Sequence, residues 1–324
     1  MFCAVLCGCT RYERTEFFAL DTFVTITAEK PNGDVLKKAE KLVKDYEDKL
    51  SVTKDGSEIK RLNESGTLTL SEEVAALVKL SLSACERTDG ALDITVYPVV
   101  KAWGFTVGDK KVPSSEELSS LLPLVGYENV TVTGNVCTLE NGTELDLGAV
   151  AKGYITDKLV KLLKENDVKN ALISLGGNVY VAGKYGGRDW NVGIKSPFGD
   201  GKAFCGVKLS DKAVVTSGQY QRFFEENGKV YGHIIDPATG VPVDNEFSSV
   251  TVIGENGFWC DALSTALFVM GKDKALEFYG EHGDFDFIFI MKDGSVAISE
   301  GIKDAFSLAD ENTPLTVIKR SDKN

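Results

Sequence analysis

Short strand patterns separated by tight turns fill the second half of this 324-residue chain, and they constrain its fold more than any other feature. Turn signals such as Gly176-Gly177-Asn178 and Asp293-Gly294 stand between neighbouring runs, which is typical of β-hairpins. The predicted strands are Ala171–Leu175, Val179–Ala182, Trp190–Ile194, Phe204–Leu209, Val214–Thr216, Ser249–Ile253, Phe287–Met291 and Val296–Ile298. Because strands joined by hairpins run antiparallel, a largely antiparallel sheet is predicted.

Helix patterns are scattered among the strand patterns instead of alternating with them. The predicted helices are Asp34–Leu50, Ser71–Thr88, a short one capped at Ser114, and Ile155–Lys164. One strand is predicted over Phe17–Ala28, a hairpin over Val130–Leu139 and a polar connector over Ser57–Asn63. Mixed order without regular β-α-β alternation favours an α+β fold.

No linker, low-complexity segment or repeat divides the chain, so a single large domain is predicted over residues 16–310. It is expected to contain a mostly antiparallel mixed sheet with flanking helices. Residues 311–324 are polar and are expected to form a frayed C-terminal tail. Leu6-Cys7-Gly8-Cys9 resembles a bacterial lipobox, so residues 1–15 are predicted to be a lipoprotein-signal remnant and tether, with Cys9 lipidated. An ordinary N-terminus is the alternative, because the basic region of a complete signal is missing.

The charge balance excludes one class of partner. With a formal net charge of −12 and a pI of about 4.9, the chain lacks the clustered cations that hold nucleic-acid phosphates. An anionic ligand would therefore need a metal, a helix N-terminus or a few placed cations. Four scattered cysteines without a C-x-x-C motif argue against zinc fingers and are expected to be buried thiols: Cys85, Cys137, Cys205 and Cys260.

The segment Asp146–Gly153 passes from a predicted strand end through small residues into a helix. Small residues let a backbone approach a ligand closely, and the free N–H groups of the helix start suit a phosphate. The alternative is a tight strand-to-helix junction with Asp146 as a cap. Both interpretations stay open on this segment alone.

Two other polar segments are weaker candidates. Asp89–Asp93 follows a predicted helix and could expose backbone amides and Asp93, or could simply end the helix and form a loop. Thr216–Arg222 ends a predicted strand with several donors and an arginine, which suits a phosphate or a purine as well as a polar turn. Neither segment decides the function by itself.

His233 is one of only two histidines, and the turn-forming residues Asp236–Gly240 follow it closely. A rigid corner of this kind could hold the imidazole for proton transfer. A histidine beside the apolar Ile234 and Ile235 is, however, more often a hydrogen-bonded structural residue. The sequence leaves both roles open.

Asp261 and Thr265 lie four residues apart in a predicted helix, which places them on one helix face. A carboxylate, a hydroxyl and a backbone carbonyl form an oxygen-rich set that suits Mg²⁺ with retained waters and substrate phosphates. Alternatively, Asp261 could cap the start of the helix while Thr265 bonds to the backbone carbonyl four residues earlier.

Four motifs, in their order along the chain, resemble the FAD:protein FMN transferase family, the ApbE-like flavin transferases once described as thiamine-biosynthesis lipoproteins. The resemblance runs from about Leu20 to Gly301, and one departure is Leu20-Asp21-Thr22 where the family often has Met-Gly-Thr. The motifs are Gly90-Ala-Leu-Asp93, Asp146-Leu-Gly-Ala-x-Ala-Lys-Gly153, His233-Ile-Ile-Asp-Pro-x-Thr-Gly240 and Asp261-Ala-x-x-Thr265.

The resemblance implies a site with three kinds of residue. His233 matches a residue with a catalytic role. The implied Mg²⁺ ligands are Asp261, Thr265 and the backbone carbonyl of Ala149, with Ser264 as a further candidate. The implied FAD contacts are Asn63, Ala91, Leu92, Asp93, Asp146, Lys152 and Ile235.

The implied activity is Mg²⁺-dependent transfer of FMN from FAD to a threonine or serine hydroxyl of an acceptor protein, with release of AMP. The resemblance also implies an envelope redox protein as acceptor and a place on the extracytoplasmic face of a bacterial membrane, with a lipid anchor at Cys9. Two alternatives stay open: an FAD pyrophosphatase, in which water replaces the acceptor hydroxyl, and a lipoprotein that binds flavin without catalysis.

Overall fold

The structure is a computed structural model of the chain, and it describes residues 12–320. The predicted lipobox and Cys9 lie outside the described residues. Within residues 12–320, no helix has both the length and the apolar character that a membrane span requires. Cys85, Cys137, Cys205 and Cys260 are free and buried, which confirms the expectation for these four thiols.

Eight α-helices lie in residues 12–320. They are α1 (Val35–Leu50), α2 (Glu58–Ser65), α3 (Glu72–Arg87), α4 (Tyr97–Ala102), α5 (Ser115–Leu121), α6 (Ala151–Glu165), α7 (Gly257–Met270) and α8 (Lys272–His282). Helix α5 begins as its capping box predicts, because Ser114 Oγ accepts the backbone N–H of Glu117 at 3.1 Å.

The same residues form seventeen strands. They are β1 (Tyr12–Ala19), β2 (Thr22–Glu29), β3 (Thr67–Thr69), β4 (Val130–Thr133), β5 (Val136–Leu139), β6 (Ala171–Leu175), β7 (Asn178–Ala182), β8 (Trp190–Lys195), β9 (Ala203–Leu209), β10 (Lys212–Ser217), β11 (Phe223–Glu226), β12 (Lys229–Gly232), β13 (Phe247–Gly254), β14 (Asp286–Met291), β15 (Val296–Ser299), β16 (Phe306–Leu308) and β17 (Leu315–Ile318).

A nine-stranded sheet organises the domain, in the order β1-β2-β6-β7-β10-β13-β14-β15-β17. Every neighbouring pair is antiparallel except β15 and β17, which are parallel. Three small sheets accompany it: β11-β12, β16-β9-β8 and β3-β5-β4. This architecture confirms the predicted α+β class with a mostly antiparallel mixed sheet.

Both faces of the large sheet are buried. Adjacent residues of β10 show this, since Val215 belongs to the core beneath α6 and α7, whereas Val214 packs in a second core with Trp190 of β8. Side chains of a strand alternate between faces, so each strand serves both cores. A third, smaller apolar cluster surrounds Trp103 beside the β11–β12 hairpin.

Two local predictions are wrong. The strand predicted over Phe17–Ala28 is a hairpin, because Leu20 and Asp21 both adopt a positive φ of 55° and reverse the chain. Ser57–Asn63, predicted to be a connector, lies mostly in α2, where Ser57 Oγ accepts the Lys60 N–H at 3.0 Å. The apolar side chains that α2 buries supply the tertiary contacts that its short pattern did not reveal.

The C-terminal segment also differs from the expected frayed tail. Leu315–Ile318 pairs in parallel with Val296–Ser299 and forms one edge of the large sheet. Three consecutive β-branched residues, Thr316 to Ile318, favour strand pairing despite the polar surroundings. The last four residues, 321–324, lie outside the described part of the chain.

Candidate active site

Helix α7 carries the predicted cation ligands, but it starts one turn earlier than its sequence pattern suggested. Asn256 is the N-cap, and its side-chain oxygen accepts the Trp259 N–H at 3.1 Å. Asp261 is therefore inside the helix and only 4% exposed. The alternative in which Asp261 caps its own helix is wrong.

Asp261 instead binds the start of another helix. Its Oδ2 accepts the backbone N–H of Gly153, in the first turn of α6, at 2.8 Å. Asp157 of α6 returns the contact, because its two carboxylate oxygens accept the N–H groups of Gly257 at 2.7 Å and Phe258 at 2.9 Å. Each helix thus supplies a carboxylate to the positive end of the other, an arrangement that the helix dipole favours.

Two glycines allow this exchange by letting the helix backbones touch. A Cβ on Gly153 would lie 2.2 Å from the carbonyl oxygen of Gly257 and 2.7 Å from Asp261 Cβ. A Cβ on Gly257 would lie 2.8 Å from the Gly153 carbonyl oxygen. Gly153 of the Asp146–Gly153 motif is therefore required for the close helix contact at this crossing.

The Gly153–Asp261 bond also frees a backbone oxygen. In a regular helix, the Gly153 N–H would donate to the carbonyl of Ala149, four residues earlier. Because it donates to Asp261, the Ala149 carbonyl accepts no hydrogen bond within residues 12–320. The carbonyl of Ala149 and the second carboxylate oxygen of Asp261 are both left available at this junction.

Three hydroxyl groups lie beside Asp261. Ser217, at the end of β10, has its Oγ 2.9 Å from Ser264 Oγ and 3.2 Å from Thr265 Oγ1. Ser264 is fully buried and also donates to the Asp261 carbonyl at 2.9 Å. The alternative in which Thr265 bonds to the Asp261 carbonyl is not observed within the described residues, because Ser264 makes that bond. The Thr265 hydroxyl contacts Ser217 and is available as a cation ligand.

These groups fit Mg²⁺. The junction offers oxygen donors only: one carboxylate, one backbone carbonyl and a set of hydroxyls. Nowhere in residues 12–320 do three or more His, Cys, Asp or Glu side chains converge, as a zinc or other transition-metal site would require. Mg²⁺ is commonly held by one or two carboxylates together with waters and substrate phosphates, so a single carboxylate suffices.

Lys152 supplies positive charge to this region. Burial raises the pKa of both the Asp146 and the Asp261 carboxyls, and the nearby Lys152 ammonium opposes that rise in each case. The Lys152 Nζ donates to the Gly148 carbonyl at 3.2 Å. The Arg222 guanidinium likewise opposes the rise in the pKa of the Asp146 carboxyl. An acidic protein thus concentrates two cations where a pyrophosphate would need them.

His233 directly follows β12 and is anchored to Arg222. Its backbone N–H and its ring Nδ1 both contact the Arg222 carbonyl at 3.1 Å. Burial lowers the pKa of the imidazole to about 4, and the charges of Arg222 and Lys152 act in the same direction. The ring is therefore neutral near pH 7. Since a carbonyl only accepts, Nδ1 carries the proton and Nε2 is left as an acceptor.

Asn63 binds the backbone of Leu145, the residue that precedes Asp146. The Asn63 amide pairs with Leu145 twice, donating to its carbonyl at 2.9 Å and accepting its N–H at 2.8 Å. This clamp fixes the residue before Asp146, whose Oδ1 accepts the Gly148 N–H at 2.8 Å. The predicted flavin contact at Asn63 therefore involves a side chain whose amide also supports Asp146.

The carboxylate of Asp93 holds a loop together by hydrogen bonds. It accepts the Thr95 N–H at 2.8 Å, the Thr95 hydroxyl at 2.6 Å and the Tyr127 N–H at 3.1 Å. The segment reaches the Asp146 corner through the backbone, because the Asp146 N–H donates to the Ile94 carbonyl at 2.8 Å. Asp93 is 7% exposed, and its three hydrogen bonds all hold loop residues. These contacts favour the interpretation of this segment as a loop that follows a helix.

Three predicted flavin contacts have apolar side chains in or against the core. Leu92 is 2% exposed and packs in the core beneath α6 and α7, and Ala91 is partly buried against the same core. Ile235 packs with Trp103 and Val99 in the smaller cluster. Any polar contact of these residues with a flavin would have to use their backbone groups.

The structure adds residues that the sequence interpretation did not select. Ser217 and Arg222 lie in Thr216–Arg222, a segment whose donors were recognisable but whose neighbours were not. Asp157 and Asn178 gave no local signal, because their importance comes from contacts with α7. Asn178 is 3% exposed, and neither polar atom of its side-chain amide has a hydrogen-bond partner within residues 12–320.

Comparison with known proteins gives a consistent result. The profile of the ApbE family matches residues 20–289. An FAD:protein FMN transferase of Klebsiella pneumoniae is 36% identical over 276 residues, covering 83% of this chain and 86% of the relative. One of Treponema pallidum is 34% identical over 311 residues, covering 89% of this chain and 86% of the relative.

Solved structures agree with the sequence relatives. The crystal structure of the ApbE protein of Thermotoga maritima matches with a TM-score of 0.86 at 33% identity, over 91% of this chain and 99% of the other. The flavin transferase ApbE of Vibrio cholerae matches with a TM-score of 0.83 at 27% identity, over the same shares. The chain belongs to the ApbE family.

Proposed function

We propose that this chain is an FAD:protein FMN transferase that uses Mg²⁺ to move FMN from FAD to a threonine or serine hydroxyl of an acceptor protein. The relatives named above support the flavin-transfer activity. The observation that carries the Mg²⁺ dependence is the Gly153–Asp261 contact, which leaves the Ala149 carbonyl and one Asp261 oxygen available beside the Ser264 and Thr265 hydroxyls.

The reaction breaks the phosphoanhydride bond of FAD and forms a phosphoester bond to the acceptor. The acceptor hydroxyl oxygen bonds to the FMN phosphorus of FAD, the bond from that phosphorus to the bridging oxygen breaks, and AMP leaves with the bridging oxygen. When bound, Mg²⁺ neutralises the charge on the pyrophosphate oxygens. Asp261, Thr265 and the Ala149 carbonyl would hold it, with Ser264 supporting them through the hydroxyl cluster.

His233 orients the attacking hydroxyl and is the residue that accepts its proton. Its neutral ring, with Nδ1 bound to the Arg222 carbonyl, presents Nε2 as the acceptor. Because a base with a pKa of about 4 is weak, its main contribution is to orient the hydroxyl, and the proton passes on to the departing AMP. Lys152 and Arg222 stabilise negative charge that develops on the phosphate oxygens.

One assay tests this function. Purified protein is incubated with FAD and Mg²⁺, with and without an acceptor domain that carries a candidate threonine, while AMP and protein-bound flavin fluorescence are measured. Acceptor-dependent flavin attachment with equimolar AMP is expected. AMP and free FMN in the absence of acceptor would indicate a pyrophosphatase, and tight FAD binding without AMP would indicate flavin storage. Either of these last two results would contradict the transferase proposal.

We also propose an extracytoplasmic location with a lipid anchor at Cys9, and an envelope redox protein as acceptor. The lipobox-like Leu6–Cys9 and the family membership support this location. Expression in a bacterial host with a radioactive fatty acid should label the wild-type protein and leave Cys9→Ala unlabelled. Equal labelling of both, or none of either, would argue against the anchor.

A further inference from the structure

Asn178 occupies a fixed position at the edge of the cation site. It is the first residue of β7 and pairs with Leu175 across the two-residue turn Gly176-Gly177. Tyr180 and Ala182, which share its face of the strand, pack in the core beneath the helices. The Asn178 side chain therefore points into the helix layer, where α7 crosses the sheet.

The amide of Asn178 is buried and unpaired in the part of the chain that the structure describes. The residue is 3% exposed, and neither Nδ2 nor Oδ1 has a hydrogen-bond partner among residues 12–320. Most buried polar atoms in proteins have a hydrogen-bond partner, so an unpaired amide requires an explanation, such as a water or an ion that it binds. The fold pairs other amides, for example that of Asn245, which donates to Phe268 at 2.6 Å and accepts from Phe247 at 3.0 Å.

The unpaired amide lies beside Asp261. The Asn178 side chain comes within hydrogen-bonding reach of the Asp261 carboxylate. Asp261 Oδ2 already accepts the Gly153 N–H, so its other oxygen is the one available to a new donor. The donor and the acceptor of Asn178 are thus both present where a cation with its waters would lie.

We propose that Asn178 is a positioning residue of the cation site, with Nδ2 holding the Asp261 carboxylate and Oδ1 accepting a hydrogen bond from a water bound to the cation. This inference rests on the proposed Mg²⁺ site. Mg²⁺ keeps several of its waters when it binds a protein, and those waters need acceptors. Groups that orient metal ligands from the next layer typically change metal affinity about 10- to 100-fold when they are removed.

A purely structural role makes the opposite prediction about stability. If Asn178 served the fold, replacing it with an apolar residue would destabilise the protein. If it serves the cation, the same change removes an unpaired polar group from the interior and leaves the metal-free protein at least as stable. Stability and cation affinity therefore separate the two roles.

The test uses Mn²⁺ alone as a paramagnetic substitute for Mg²⁺, without flavin. Free Mn²⁺ is measured by electron paramagnetic resonance as the full-length protein is titrated, and the midpoint of thermal unfolding is measured without metal. Asn178→Leu is compared with Asn178→Ala, which keeps the proposal testable if leucine is too large to fit. Asn245→Leu is the matched control, because it removes a paired amide that bonds the other end of α7.

Both Asn178 variants should bind Mn²⁺ about 10- to 100-fold more weakly than the wild type, without a lower unfolding midpoint. Asn245→Leu should lower the midpoint and leave Mn²⁺ affinity unchanged. Wild-type Mn²⁺ affinity in both Asn178 variants would overturn this inference alone, whatever the transferase assay shows. An absence of Mn²⁺ binding in the wild type would overturn the cation site itself, and this inference with it.

Discussion

Gly153→Ala should disrupt the candidate site by forcing two helices apart. The new Cβ would lie 2.2 Å from the Gly257 carbonyl oxygen, whereas such contacts essentially never fall below 3.0 Å. Helices α6 and α7 must therefore separate by at least about 0.8 Å. The same movement lengthens the bond from the Gly153 N–H to Asp261 Oδ2 from 2.8 Å to about 3.6 Å, where no hydrogen bond remains.

The magnitude follows from two effects. Overpacking a tight contact costs about 1–3 kcal/mol, and losing a hydrogen bond to a charged group costs about 1.5–3 kcal/mol. Together they should reduce the free energy of unfolding by about 3–5 kcal/mol. Because Asp261 moves relative to the Ala149 carbonyl, Mg²⁺-dependent turnover should fall about 100-fold, the loss expected for a misplacement of about 1 Å.

The assay combines urea unfolding with AMP release from FAD at several Mg²⁺ concentrations. Gly193→Ala is the control, since a Cβ there would meet its nearest atom, Ala203 Cβ, at an ordinary 3.4 Å. That variant should match the wild type in both measurements. If Gly153→Ala unfolded at the wild-type urea concentration and kept the wild-type Mg²⁺ dependence, the close helix contact would have no role in forming the site.

Three further predictions concern the carboxylates and the histidine. Asp157→Ala should lower the free energy of unfolding by about 2 kcal/mol, because the N–H groups of Gly257 and Phe258 lose their acceptor. Asp157→Asn should lower it by less. Urea unfolding measures both variants, and midpoints equal to that of the wild type would contradict this prediction. Histidine NMR should show one imidazole titrating near pH 4, absent in His233→Gln, since burial lowers its pKa to about 4. The unfolded chain binds that proton first as pH falls from about 6.5, so the His233 contribution to stability should be complete above pH 6.5 and lost toward pH 4. A titration near pH 6.5 that disappears in His233→Gln would refute the burial argument. Asp261→Ala should lose Mg²⁺-dependent turnover, and a normal Mg²⁺ response in that variant would exclude it as a ligand.

Local patterns in the sequence predicted much of the fold because they depend on short spacings. Runs of strand-forming residues between turn signals identified β6 to β10 and β13 to β15, and helix patterns identified α1, α3 and α6. The same local logic placed Asp261 and Thr265 on one helix face, since residues four apart are neighbours in any α-helix. Local rules failed where a non-glycine residue took a positive φ, as at Leu20 and Asp21.

The sequence by itself determined the fold class, the family resemblance and the types of residue that carry the chemistry. Only the tertiary structure decided how those residues are used. Asp261 binds a backbone N–H 108 residues away in sequence, and Asp157 reaches across 100 residues to the start of α7. No periodicity encodes such pairs, because the approach of two helix backbones depends on the packing of the whole sheet beneath them. That approach frees the Ala149 carbonyl, and the burial it creates leaves the Asn178 amide unpaired beside the Asp261 carboxylate.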